Sequence, residues 1–217
     1  MALVDEDLSS SGAAVYEALQ EHVRESMSRY DASHDFNHIH RVVALARRIL
    51  AGERARAAYD TDVVLLAALL HDVSDKKYAP AGQENRDEIA DLLRKHGAPD
   101  ALAVKVQTIA LNVSYSKEIK DPARTAAILG QHPELAIVQD ADRLDALGAI
   151  GVGRALTFAA ARGPPGGMGE AIQHFGDKLE HLGDMMKTET GRQMARTRTE
   201  RLKTFRTWWV EEETLVV

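Results

Sequence analysis

The sequence predicts an all-α protein with a single domain. Apolar residues recur at helical spacing through most of the chain, no alternating strand pattern of any length occurs, and no segment is repeated. At 217 residues, 45% of them apolar, the chain is long enough to bury one sizeable core. We expect a helical domain over residues 12–212, preceded by a disordered lead-in at 1–11 and followed by a C-terminal tail at 213–217.

The first half of the chain predicts five helices, each with apolar residues three and four positions apart. They cover approximately residues 13–29, 38–50, 61–71, 83–95 and 100–112. Serines at 9–11 are suitable N-caps for the first helix. The third helix is apolar on nearly all sides, which is typical of a helix at the centre of a core.

The second half predicts a connection over 113–125 and then three longer helices. These helices cover approximately residues 140–161, 170–186 and 188–211, with a glycine- and proline-rich break at 162–169. The apolar run at 135–138 is too short for periodicity to distinguish a strand from the start of a buried helix. Three glycines between 148 and 153 each cost roughly 1 kcal/mol within a helix, and we expect close packing against the third helix to be their reason.

The composition excludes several classes of function. A formal net charge of −6 argues against a nucleic-acid binder that works through a basic face. The chain has no cysteine, so disulfides, thiolate zinc sites and cysteine nucleophiles are excluded. The N-terminal residues carry no basic charge, unlike a signal peptide, and no apolar run reaches the roughly 18 residues of a membrane span. We expect a cytoplasmic protein with no membrane or nucleic-acid partner.

Four polar residues stand at positions where a metal site is expected. His71 and Asp72 end the most apolar helix, which is a rigid mount for ligands. His38 lies at the edge of the apolar stripe of the second helix, and Asp142 lies in a later stretch of alternating acidic and apolar residues. Two imidazoles and two carboxylates form a mixed nitrogen and oxygen set that suits Mn²⁺, Fe²⁺, Mg²⁺, Ni²⁺ or Zn²⁺.

The pattern of a histidine, a His-Asp pair and a distant aspartate resembles the HD superfamily of metal-dependent phosphohydrolases. Longer stretches resemble its small, stand-alone YpgQ/YedJ-like subgroup: HDFNHIHRV at 34–42, LAALLHDVSDKKY at 66–78, NVSYS at 112–116, VQDADRLDALGAIGVGRAL at 138–156 and HFGDKLEHLGDMMKTETGR at 174–192. The resemblance implies an HD-type helical bundle that holds one divalent ion through His38, His71, Asp72 and Asp142. It implies Mn²⁺ as the favoured ion, with Mg²⁺, Fe²⁺, Co²⁺, Ni²⁺ and Zn²⁺ as alternatives.

The reaction that the resemblance implies is hydrolysis of a nucleotide or another small phosphorylated substrate. In the most similar relatives, the implied reaction converts a nucleoside triphosphate to its monophosphate and pyrophosphate. The resemblance makes Asp75 the first choice for the general base, with Asp145 as its competitor. An acidic protein must supply positive charge locally to an anionic substrate. Basic residues near the four ligands, or within the stretches that resemble the subgroup, are therefore candidate substrate contacts, and the resemblance favours Lys77 first. These candidates are His34, Arg41, Lys77, Arg143 and Lys178.

Two other functions remain open from the sequence. A di-iron oxygenase on an HD scaffold needs two further histidine ligands, and Asn112 stands at the position of one of them, which favours a single ion. A non-catalytic nucleotide-binding protein could retain the same four ligands. The sequence leaves monomer and homodimer as alternatives.

Overall fold

The structure is a computed structural model that describes residues 8–28, 33, 35–73, 88–162 and 167–215. These residues form eleven α-helices and one 3₁₀ helix. The bounds are α1 Ser10–Met27, α2 Phe36–Glu53, α3 Thr61–Leu70, α4 Glu88–Lys95, α5 Asp100–Ala110, α6 Tyr115–Lys120, α7 Pro122–Gln131, α8 Glu134–Asp145, α9 Gly148–Arg162, α10 Gly167–Asp177, the 3₁₀ helix Leu179–Met185 and α11 Glu189–Thr214. No strand occurs within these ranges, which confirms the all-α prediction. No single helix among them has both the length and the apolar composition that crossing a membrane requires.

Helix α3 is the centre of the core, as its apolar sequence predicts. Every residue from Val63 to Leu70 is at most 1% exposed, and helices α1, α2, α5 and α8 pack around it. The Asp60 side chain caps its N-terminus by accepting a hydrogen bond from the backbone N–H of Val63. Burial of a large aliphatic side chain contributes about 1.5–3 kcal/mol, so α3 is firmly held and the residues at its C-terminus have fixed positions.

The ends of the helical domain differ slightly from the prediction. Helix α1 begins at Ser10, because the Ser9 side chain caps it by accepting a hydrogen bond from the backbone N–H of Gly12. The backbone N–H of Ser9 donates to the Asp62 carboxylate at 2.9 Å. Residues 10 and 11 are therefore helical and do not belong to the lead-in, whose residues 1–7 lie outside the described ranges. At the other end, α11 extends to Thr214, two residues into the predicted tail.

The segment predicted as a connection over 113–125 contains helix α6 and the start of α7. Asp121 ends α6 and caps α7 by accepting a hydrogen bond from the N–H of Arg124, and Pro122 occupies the first turn, where its missing N–H costs nothing. The apolar run at 135–138 lies inside α8 and is helical and largely buried.

The helix predicted over 140–161 is two helices, because the chain bends by 71° between α8 and α9. Gly148 has a φ of +70°, a conformation that other residues rarely adopt. A side chain at Gly151 would collide with the carbonyl oxygen of Ala146, whereas one at Gly153 would meet nothing within 4 Å. The expectation that these glycines pack against the third helix is therefore wrong; two of them serve the bend itself.

The predicted helix over 170–186 is also divided, into α10 and the 3₁₀ helix, with Lys178 between them in a non-helical conformation. Helix α11 follows and is tied at its start to two earlier helices. The Asp140 carboxylate in α8 accepts hydrogen bonds from the N–H of Lys187 and from the N–H and hydroxyl of Thr188. Glu53 in α2 accepts from the N–H and hydroxyl of Thr190 at 2.8 and 2.6 Å. The MKTETGR stretch thus fastens α11 to α2 and α8.

Candidate metal centre

Four side chains from three neighbouring helices converge at one point. The Nε2 atom of His38 lies 3.3 Å from Nε2 of His71, 3.3 Å from an oxygen of Asp72 and 3.6 Å from an oxygen of Asp142. Nε2 of His71 lies 3.5 and 3.7 Å from the same two carboxylate oxygens. Donor atoms that share one ion at roughly 2.1 Å are themselves separated by about 3 to 3.5 Å. The donor atoms of His38, His71 and Asp142 all lie within 4.8 Å of one another, and this spacing fits a single divalent ion. The Asp72 oxygen lies beside both imidazoles.

Both histidines are buried and oriented by hydrogen bonds. His38 lies in the first turn of α2, where the Asp35 side chain caps the helix by accepting from the His38 backbone N–H at 3.0 Å. His71 follows the last residue of α3, and its Nδ1 lies 2.9 Å from the carbonyl oxygen of Ala68. Because a carbonyl only accepts, Nδ1 of His71 carries the proton and Nε2 keeps a lone pair for a cation.

Asp145 lies behind His38, one helical turn after Asp142. Its side chain is 1% exposed, and Oδ2 lies 2.8 Å from Nδ1 of His38. Arg41 donates to both carboxylate oxygens, at 2.7 and 3.0 Å, and Arg154 forms an ion pair with Oδ2 at 3.3 Å. A buried carboxylate behind a ligating histidine fixes the orientation of the ring and raises its basicity.

The electrostatics of the cluster favour a positive charge at its centre. Burial lowers the pKa of His71, but the charges of Asp72 and Asp142 outweigh it and raise that pKa to about 9. Burial raises the pKa of Asp142, and the neighbouring His71 more than offsets this, so its carboxyl is more acidic than usual. For Asp145, burial is likewise outweighed by hydrogen bonds from His38 and Arg41, which lower its pKa to about 2. A cluster that holds a proton this strongly is suited to a cation.

The donors open onto a cleft of about 360 Å³. His38, Asp72 and Asp142 form one side of the cleft. The rest of the lining includes residues 114–116 at the start of α6, and Lys178, Leu179 and Leu182. Here the ammonium group of Lys178 lies 4.6 Å from the centre of the Tyr115 ring. The volume lies within the range typical of small-molecule sites.

The structure brings some of the predicted substrate contacts to this cleft and places others elsewhere. Lys178 lines the cleft. The side chain of Arg143 also reaches its boundary but is 2% exposed, pairs with Glu118 and donates to the carbonyl of Met185. Arg41 lies on Asp145, outside the set of residues that line the cleft. Three further candidates lie outside the described residues: His34, Asp75 and Lys77.

Arg154 in α9 lies at the site although the sequence analysis did not name it among the candidate site residues. It lines the cleft, its Nε donates to the carbonyl of Ser33 at 2.8 Å, and its side chain is 14% exposed. A signal was present, because Arg154 is the one charged residue in the apolar and glycine-rich stretch 146–161. A lone arginine in such a helix needs a partner, which the bend between α8 and α9 supplies.

Two histidines and two aspartates from α2, α8 and the residues that follow α3 converge in this helical domain, and their donor types suit a divalent ion. Residues 35–147 match the HD domain family, which confirms the resemblance, and the chain belongs to that family. His38, His71 and Asp142 can hold the divalent ion that HD domains bind.

Similar proteins agree in fold over most of their length. The chain is 36% identical over 184 residues to the uncharacterized protein YpgQ of Bacillus subtilis strain 168, covering 84% of this chain and 85% of that protein. The crystal structure of B. subtilis YpgQ in complex with ADP is 30% identical with a TM-score of 0.73, over 93% of this chain and 96% of the other. An HD-superfamily hydrolase from Bacillus thuringiensis is 27% identical with a TM-score of 0.67, over 92% and 96% of the two chains.

Proposed function

We propose that the protein is a metal-dependent phosphohydrolase that acts on nucleotides and cleaves nucleoside triphosphates to monophosphates and pyrophosphate. The observation that carries the proposal is the convergence of four metal-binding donors at the side of a cleft that also carries cationic side chains. The similarity to YpgQ, whose crystal structure contains ADP, supports a nucleotide as the substrate. The similarity to an HD-superfamily hydrolase supports hydrolysis as the reaction.

In this proposal His38, His71, Asp72 and Asp142 hold one divalent ion, with Mn²⁺ as the favoured species. The mixed imidazole and carboxylate set fits such an ion. When bound, the ion supplies Lewis acidity, which polarises a phosphoryl oxygen and acidifies the attacking water. The donors come from helices that pack in the core, so their positions are set before substrate arrives.

The other residues bind substrate, orient a ligand or move a proton. Asp145 orients His38; its burial and its lowered pKa make it a poor proton acceptor. We propose Asp75 as the general base, on the strength of the resemblance to related HD nucleotidases. Lys178, in the wall of the cleft, binds substrate phosphate, and the resemblance adds Lys77 and His34 to these contacts.

The test is a hydrolysis assay across nucleoside mono-, di- and triphosphates. Metal-free protein is reloaded separately with Mn²⁺, Mg²⁺, Co²⁺ and Ni²⁺, and released phosphate and pyrophosphate are measured separately. We expect pyrophosphate from triphosphates, and no release from an Asp142→Ala control prepared in parallel. Intact nucleotides under every ion would contradict the proposal, and two tightly bound irons per chain would favour the oxygenase alternative.

A further inference from the structure

Arg154 is held firmly at two of its three guanidinium nitrogens. Nε donates to the carbonyl of Ser33 at 2.8 Å, and Nη1 pairs with Oδ2 of Asp145 at 3.3 Å. A guanidinium carries five N–H donors in a fixed plane, and these two contacts engage at most two of them. Arg154 lines the cleft, so its orientation there is already set by these contacts.

The charge balance around the metal centre places an excess positive charge on this side of the cleft. A divalent ion and the carboxylates of Asp72 and Asp142 sum to zero. Behind them, the single negative charge of Asp145 faces two guanidinium groups, Arg41 and Arg154, so these three side chains carry one excess positive charge. Of these two arginines, Arg154 lines the cleft and Arg41 does not.

Arg143 lines the same cleft but is almost completely enclosed by its neighbours. It is 2% exposed and shares the carboxylate of Glu118 with Lys187, and its Nε is buried. Arg154 is 14% exposed and lines the cleft beside the metal centre. A partly exposed, pre-oriented guanidinium is the group that binds phosphate oxygens in a bidentate manner.

We propose that Arg154 is a substrate-binding residue that holds the phosphate chain of the nucleotide beside the metal ion. This inference rests on the proposed function, because it takes the substrate to be a polyphosphate. One oxygen, Oδ2 of Asp145, contacts both Nδ1 of His38 and Nη1 of Arg154. Asp145 therefore fixes the distance between His38, a proposed metal ligand, and the guanidinium group of Arg154, which binds the phosphate in this proposal.

The experiment compares Arg154→Gln with Arg41→Gln, because each removes one guanidinium from the same carboxylate but only Arg154 lines the cleft. Two quantities are measured on Mn²⁺-loaded protein: the KM for a nucleoside triphosphate, and the affinity for inorganic pyrophosphate by calorimetry, repeated on metal-free protein. We expect Arg154→Gln to raise KM and weaken pyrophosphate binding by about 10- to 100-fold, the effect of losing a charged hydrogen bond. Arg41→Gln should change both by clearly less.

Two further variants separate binding from folding. Arg154→Lys keeps the charge but not the planar fork, so its KM should fall between those of the wild type and Arg154→Gln. Free guanidinium ion added to Arg154→Ala should restore part of the pyrophosphate affinity. Equal effects of Arg154→Gln and Arg41→Gln on both measurements, without rescue, would overturn the inference. If the wild type hydrolyses no nucleotide, the proposed function fails, and pyrophosphate affinity still decides the role of Arg154.

Discussion

The two sides of the cleft are built in different ways. The metal side is carried by α2, α3 and α8, and its two histidines have side chains at most 2% exposed. The opposite side includes α6, a helix of six residues, none of which is buried. The comparison teaches that the candidate metal ligands, whose role requires placement to a fraction of an ångström, lie on or beside packed helices. The rest of the cleft lining includes short elements.

Helix α6 is attached to the rest of the protein by ion pairs, whereas the helices of the metal side are held in place by apolar packing. Glu118 of α6 pairs with the buried Arg143 of α8 and with Lys187, whose ammonium group lies 2.7 and 3.0 Å from its two oxygens. Burial raises the pKa of Glu118, but hydrogen bonds from Lys187 and Arg143 more than offset it and lower that pKa. One carboxylate therefore fastens α6 to α8 and to the segment that leads into α11.

The largest effect is expected on the metal side, from His71→Ala. The variant removes one donor of the cluster, and we expect kcat/KM for nucleotide hydrolysis to fall by about 10³-fold or more, because Lewis-acid stabilisation is worth several kcal/mol. Bound Mn²⁺ per chain, measured by elemental analysis, should fall in parallel while the circular dichroism spectrum stays helical. Full metal content in the variant would show that His71 is not a ligand.

The second prediction uses the pKa of His71, which the neighbouring aspartates raise to about 9 against burial. A raised folded-state pKa stabilises the metal-free protein below the unfolded value of about 6.5, and this contribution is lost as the pH rises through 9. In chelator, the free energy of unfolding should therefore fall between pH 6.5 and 9.5, by up to about 3 kcal/mol. Saturating Mn²⁺ should remove the fall, because the ion then replaces the proton.

Denaturant titrations at each pH would measure this contribution, with His71→Gln as the control. The variant lacks the imidazole, so its stability should depend less on pH over the same range. A metal-free wild type that is equally stable at pH 6.5 and 9.5 would contradict the electrostatic account of the cluster.

The third prediction concerns Asp145→Asn, which removes the charge behind His38 but keeps the size of the side chain. We expect the Mn²⁺ dissociation constant to rise by about 10- to 100-fold, the usual cost of removing the partner of a ligating histidine. Titration with Mn²⁺ monitored by calorimetry measures it. An unchanged constant would mean that His38 is oriented without Asp145.

The smallest effect is expected on the other side, from Glu118→Gln. Since Arg143 is left buried without its counter-charge, the protein should lose about 1–3 kcal/mol of stability, measured by denaturant titration. The KM should rise modestly, because α6 is less firmly held. Mn²⁺ affinity should stay at the wild-type value, and a loss as large as that of Asp145→Asn would show that the two sides are not independent.

The sequence predicts the metal side well and the other side poorly, for physical reasons. His71 and Asp72 interrupt the most apolar stretch of the chain, and a polar pair at such a place is visible without a structure. Helix α6 is too short for periodicity to reveal it. The place of Arg154 in the cleft lining depends on the 71° bend between α8 and α9. The φ of Gly148 allows this bend, and a helical pattern across 140–161 conceals it.

The tie between α11 and the two helices α2 and α8 has a consequence for biosynthesis. Glu53 and Asp140 find their partners only when Thr188 and Thr190 have left the ribosome. A nascent chain that already contains every proposed ligand therefore still carries two buried carboxylates without their hydrogen-bond donors. Translation has to continue for nearly fifty residues beyond Asp142 before these hydrogen bonds can form, and a polypeptide released earlier lacks them.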